Sequence, residues 1–176
     1  MRKLKLQMNG PDLKWDDNVR NFCIENLKNV DRILLGRTTA EGFIPYWARI
    51  AANPKDSEFK LGKRLTEIPK IVFSKKLKWD NASLAKAGIV EEISKLKKQP
   101  GKDIIVYGGY SFVSSLIKNG LIDEYYLLAN PLAVGRRQPI FKVLNSDSRA
   151  RLKKSEAFAC GTVLLRYASG QKQDFP

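Results

Sequence analysis

Residues 104–107, Ile-Ile-Val-Tyr, form an apolar run without polar alternation. Such a β-branched run predicts a strand buried on both faces, as in a parallel or mixed sheet covered by helices. After Gly108-Gly109, the residues Phe112, Val113, Leu116 and Ile117 recur at helical spacing, with serines, Lys118 and Asn119 on the other face. Asn119-Gly120 stops that helix. Residues 32–35 and 70–73 read as two more buried strands. Residues 2–7 alternate and predict a first strand, broken by Asn9-Gly10-Pro11.

The helical periods fall between these strands. Asp16-Asp17 opens a helix that places Val19, Phe22, Cys23, Leu27 and Val30 on one face. Another helix follows Gly36-Arg37-Thr38-Thr39 and carries Phe43, Tyr46, Trp47 and Ile50. Residues 52–65 are polar and charged and predict a long loop with a helical turn. A short strand is expected near 82–85, and an amphipathic helix over 89–98, stopped by Pro100-Gly101. Residues 123–129, 140–142, 152–159 and 162–167 predict a strand-rich end.

Strand–helix alternation first and bare strands last predict an α/β fold. The sheet is mixed and mostly parallel, with helices on both faces and a C-terminal antiparallel hairpin at one edge. No repeat, low-complexity stretch or linker divides the sequence, so residues 1–176 are expected to form one domain.

Composition narrows the chemistry. There is no histidine, which excludes histidine–metal sites, Ser-His triads and imidazole acid–base catalysis. An enzyme built from this chain would use carboxylates, lysine, tyrosine, backbone groups or a cofactor. No metal is expected. Cys23 and Cys160 stand far apart in apolar surroundings and read as reduced core thiols. The N-terminus has no long apolar stretch and no run approaches a membrane span, so a cytoplasmic protein without membrane partners is expected. The net charge is +14. Its basic residues are scattered and interleaved with acids, without a nucleic-acid-binding motif, so the partner expected is a small molecule rather than nucleic acid.

Ligands of open α/β sheets bind at the carboxyl ends of strands. Three such ends offer a cation, a hydroxyl or a helix-start amide: Gly36-Arg37-Thr38, Ser74-Lys75, and Tyr107-Gly108-Gly109-Tyr110-Ser111-Phe112. These are groups that hold phosphates. Three of them in order suggest an extended ligand with several phosphates, such as NADPH. Singly, each also reads as a cap, a surface cation or a tight turn.

The stretches RILLGRTTAEGF (32–43), KIVFSKKL (70–77), the run from Lys102 to Gly135, and Ile140-Phe141 resemble the dihydrofolate reductase-like superfamily. Within it they look most like the small single-domain proteins grouped with the C-terminal reductase domain of riboflavin-biosynthesis proteins. The resemblance implies a sheet of about eight strands and NADPH as hydride donor. It places the 2′-phosphate and pyrophosphate near Gly36, Arg37, Thr38, Ser74 and Lys75, and the pyrophosphate and nicotinamide ribose near residues 107–112. It implies reduction of a small heterocycle, free or phosphorylated, as by 5-amino-6-(5-phosphoribosylamino)uracil reductase, and a homodimer built on the strand-rich C-terminal half. Phe43 and Trp47 are candidates for stacking on a planar substrate, and Arg136 and Arg137 for holding a substrate phosphate.

Three departures bear on the substrate half. The Ser-x-Asp-Gly stretch usual after the first strand is missing, because Met8 leads almost directly into Asn9-Gly10-Pro11. Tyr107 stands where riboflavin-pathway reductases carry Glu, and Gly135-Arg136-Arg137 where they tend to show Gly-x-Gly. The alternative expectation is therefore a catalytically inactive nucleotide-binding relative.

Overall fold

The computed structural model describes residues 1–9, 16–75, 79–133, 140–141 and 150–170. Eight strands form one sheet in the order β4-β3-β2-β5-β1-β6-β8-β7. They are β1 (Leu4–Asn9), β2 (Val30–Gly36), β3 (Lys70–Phe73), β4 (Ala82–Leu84), β5 (Asp103–Tyr107), β6 (Glu124–Ala129), β7 (Ala150–Ala157) and β8 (Val163–Ser169). The helices are α1 (Asp17–Lys28), α2 (Arg37–Ala51), α3 (Phe59–Glu67), α4 (Ile89–Lys98) and α5 (Tyr110–Lys118). The pairings from β4 across to β6 are parallel. β8 runs antiparallel to both β6 and β7, which gives the expected edge hairpin.

Alternation along the central strands divides the core in two. Ile33, Leu35, Val72, Ile105, Tyr107 and Tyr126 face α1, α2 and α3. Leu4, Leu6, Leu34, Ile71, Ile104 and Val106 face α4 and α5. With both faces covered, β2 from Ile33 on and β5 from Ile104 on are buried and carry no polar side chain, as their sequence suggests. β1 departs from that rule. Its polar residues Lys5 and Gln7 are buried although they alternate with Leu4 and Leu6. Lys5 pairs with Asp103 at 2.9 Å, and Gln7 accepts from Asn26 at 3.0 Å, so alternation here separates two buried faces.

Three expectations are corrected. Residues 59–67 form a helix rather than loop, because Leu61, Leu65 and Ile68 share one apolar face and bury it. Ile140 and Phe141 lie in a turn, not a strand. The Ile140 carbonyl accepts from Ser114 Oγ at 3.2 Å, and Phe141 packs on Tyr125, so their apolarity serves docking on the α4–α5 side. Lys142 lies outside the described residues. β1 and β7 are shifted by two residues from expectation, a difference of boundary and not of kind.

Candidate functional site

The three strand ends singled out in the sequence are neighbours in space. β3, β2 and β5 are adjacent, with Gly36 opposite Phe73 and Leu35 opposite Tyr107. Helices α2 and α5 therefore start side by side. Their N-caps are glycines, Gly36 and Gly109, with no side-chain cap and no acid in the first turn among the described residues. Helix geometry leaves the first amides of each without a partner in its own helix, at the positive end of the dipole. By contrast α1 is capped by Asp16, whose carboxylate accepts from the Val19 amide at 2.8 Å.

Between the two helix starts lies a cavity of about 420 Å³. Gly36, Arg37 and Thr38 line it from α2; Gly109, Tyr110, Ser111 and Phe112 line it from α5. The side chain of Phe112 packs at a tilt on Phe73, ring centres 4.9 Å apart, and lies against Gly36, where a Cβ would come within 2.9 Å of the Phe112 Cβ. Ser74 and Lys75 follow β3 beside this cavity but do not line it; Phe73 does. Thr39 was not singled out as a ligand, yet its hydroxyl accepts from the Gly109 amide at 2.8 Å and joins the two helix starts.

The paired glycines differ in their reasons. Neither falls among the positive-φ glycines, so the tight-turn reading does not explain them. A Cβ at Gly108 would press on Val113 and Phe112 at 3.2 and 3.3 Å. Among the described residues, a Cβ at Gly109 would meet only Thr39 Oγ1, at 3.4 Å. Gly109 leaves open a space that the fold itself does not need.

A second cavity, of about 230 Å³, opens on the other side of Gly108. Tyr107 lies on this side, not in the helix-start cavity, and stacks on Phe43 with ring centres 5.2 Å apart. Trp47 packs edge-on against Phe43 at 6.1 Å and is buried. Phe43 and Trp47 are thus core-packed and cavity-lining together. The polar groups come from the end of β1: Gln7 and Asn9, whose amides hydrogen-bond each other at 3.2 Å. Sequence reasoning missed both, since they sit in the stretch where a loop seemed absent. Leu61 and Leu65 were missed with α3. Burial pushes the Cys23 thiol up to about 12, which keeps it unreactive, and pushes the Tyr107 hydroxyl well above its usual range. Arg136 and Arg137 lie outside the described residues.

The two cavities meet at Gly108-Gly109: one surrounded by helix-start amides, hydroxyls and Arg37, the other by aromatic rings and neutral amides. The first fits phosphates, and the second fits a planar ring.

Comparison with known proteins shows the family and the fold. Residues 5–164 match the family described as RibD C-terminal domain. The uncharacterized protein YyaP of Bacillus subtilis is 33% identical over 143 residues, which cover 80% of this chain and 75% of YyaP. Another uncharacterized protein of that organism, YwjB, is 31% identical over 74 residues, 42% of each chain. A pyrimidine reductase-like protein from Corynebacterium diphtheriae superposes with a TM-score of 0.61 at 13% identity, covering 97% of this chain and 93% of that one. A diaminohydroxyphosphoribosylaminopyrimidine deaminase/5-amino-6-(5-phosphoribosylamino)uracil reductase from Thermotoga maritima superposes with a TM-score of 0.65 at 15% identity, over 96% of this chain and 57% of that one. No helix among the described residues is long and apolar enough to cross a membrane.

Proposed function

We propose that this chain, which belongs to the RibD C-terminal domain family, is an NADPH-dependent reductase of a small planar heterocycle. The observation that carries this reading is Gly109. Its missing Cβ opens the space where the starts of α2 and α5 converge, and neither φ nor internal packing requires a glycine there. A diphosphate fits that space. The amides of residues 110–112 and 37–39 would meet its oxygens, with Ser111 and Thr38 adding hydroxyls. Arg37 has an exposed side chain and would reach the 2′-phosphate, with Lys75, two residues past the end of β3, as a second cation.

Bound NADPH would supply a hydride; the protein supplies orientation and electrostatics. Phe43, Trp47 and Tyr107 form an apolar aromatic wall that excludes water and orients a flat ring. Asn9 presents a neutral amide to the polar edge of that ring, and Gln7, whose own amide is held by Asn9, Cys23, Asn26 and Tyr107, fixes it in place. The Tyr107 hydroxyl, held protonated by burial, lies 3.5 Å from Gln7 Oε1 and joins that hydrogen-bonding floor.

The test is NADPH oxidation followed across a panel of pteridines and pyrimidines, free and phosphorylated, with cofactor binding measured separately by fluorescence. Oxidation with at least one member supports the reductase. Tight binding without oxidation across the panel would favour the inactive nucleotide-binding relative, a reading motivated by the short passage from Met8 to Asn9-Gly10-Pro11. Failure to bind NADPH at all would remove both.

A further inference from the structure

A third cavity, of about 270 Å³, lies behind the aromatic wall and away from Gly108-Gly109. Phe43, Trp47 and Leu65 line both this cavity and the one facing Tyr107, so the same side chains partition them. The far side is different in character. Trp79 lines it as well, and it holds the buried side chain of Lys70 and the half-buried Thr66, whose hydroxyl oxygen is itself buried.

Lys70 begins β3 and is only 3% exposed. The other buried cations among the described residues each have a carboxylate: Arg2, just before β1, pairs with Asp31, and Lys5 with Asp103. Lys70 forms no such ion pair among the described residues. Its ammonium donates to the Thr66 carbonyl at 2.5 Å, in the last turn of α3, where the helix dipole favours a cation. That contact uses one of three donors. Thr66 Oγ1, beside it, is buried and has no hydrogen-bond partner among the described residues. Asn81 Nδ2 already donates to the Thr66 carbonyl, and exposed Asp80 stands at the rim. Burying an unpaired cation is costly unless an anion joins it. Desolvation accordingly lowers the Lys70 ammonium to about 8.

We propose that this cavity is a second ligand site, separate from the reductase site, that takes a small aromatic carboxylate. The carboxylate pairs with the remaining Lys70 N–H groups and accepts from the Thr66 hydroxyl, and the ring lies among Trp79, Phe43 and Trp47. Charge pairing supplies what the fold leaves open at Lys70, and the aromatic wall sets the shape of the ligand. The site needs neither NADPH nor the helix starts of α2 and α5.

The experiment is an NMR titration of ¹⁵N-labelled protein, free of cofactor, with sodium benzoate and with benzamide as the uncharged counterpart. Saturable shifts are expected at the amides of Thr66, Lys70 and Asn81 at millimolar benzoate or below, with benzamide at least about tenfold weaker. Lys70→Met should weaken benzoate by at least about tenfold, and Arg37→Ala should leave it unchanged. Shifts confined to Tyr107 and Gly108, no saturable shift at millimolar benzoate, equal affinity for benzamide, or native affinity in folded Lys70→Met would each overturn the proposal. If Lys70→Met does not fold, Thr66→Val and the benzoate–benzamide comparison decide. Thr66→Val should weaken benzoate several-fold, and an unchanged affinity would overturn the role given to that hydroxyl and with it the site. Because cofactor is absent throughout, loss of the reductase reading would leave this result standing.

Discussion

The Gly109 amide donates to the Thr39 hydroxyl across 2.8 Å, and this bond ties the start of α5 to the start of α2. It brings together two segments 70 residues apart at the cavity both helices line. A hydroxyl that accepts from one side keeps its own proton to donate on the other. Thr39→Ala should therefore cost about 1 kcal/mol of stability. It should also weaken NADPH by roughly fivefold. Thermal unfolding and cofactor fluorescence measure the two effects separately. A lowered Tm with unchanged NADPH affinity would make Thr39 a structural tie and nothing more.

The glycines on either side of that bond should respond in opposite ways. At Gly109 the backbone is ordinary, with φ near −73°, and an added Cβ finds only the Thr39 hydroxyl at contact distance. Gly109→Ala should thus fold and lose NADPH affinity by at least about tenfold. At Gly36 an added Cβ would stand 2.9 Å from Phe112 Cβ, which α5 and Phe73 hold in place. Gly36→Ala should destabilise the protein by about 1–3 kcal/mol through overpacking. Circular dichroism with urea titration distinguishes the two. A stable Gly109→Ala protein with native NADPH affinity would remove the cradle.

Arg37 carries the choice between cofactors. Its side chain is 69% exposed, and its partner Glu41 lies 3.5 Å away on the same helix face. An exposed guanidinium with one modest ion pair contributes little to the fold. Beside a 2′-phosphate it would make a charge-assisted contact. Arg37→Ala should leave the Tm within about a degree or two and weaken NADPH roughly tenfold while sparing NADH. Equal losses for both cofactors would move Arg37 away from the 2′-phosphate.

The sheet was legible because its central strands obey one rule. Residues 33–35, 71–73 and 104–107 lie between helix-covered faces, so past the leading Arg32 and Lys70 they show as plain apolar runs. The phosphate side of the site was legible for a related reason. Glycine, hydroxyl and cation follow those runs directly in the chain, so local order is also spatial order. The aromatic side was only half legible. Phe43 and Trp47 show at helical spacing, but Gln7 and Asn9 reach the cavity from a strand whose neighbours, β5 and β6, come roughly a hundred residues later. Helix α3 was hidden because Lys60, Lys63, Arg64 and Glu67 are interleaved with the residues of its narrow apolar face. The bond from Thr39 to Gly109 is a contact between distant segments, and no local pattern announces it.

The last prediction concerns the opposite end of the sheet, where Glu124 is buried at the start of β6. Burial raises its pKa, but hydrogen bonds from Lys3 at 2.6 Å and from Tyr126 and Arg166 at 2.8 Å more than offset this, and the carboxyl falls from 4.5 to about 2. The folded protein thus holds this proton less tightly than the unfolded chain. The stabilisation is fully present above the unfolded value of 4.5 and is lost as pH falls through the folded value of about 2. Glu124→Gln should accordingly be less stable at neutral pH by on the order of 2–3 kcal/mol, since it leaves Arg166 and Lys3 without their counter-charge. The gap between native and variant should narrow below about pH 4.5 and be smallest near pH 2. Urea midpoints across that range measure it. Cofactor affinity at neutral pH should not change, because Glu124 lies among the charges at the start of the strands and the cavities open at their carboxyl ends. A gap that stayed constant with pH would show that the carboxylate's charge is not what holds this corner of the sheet.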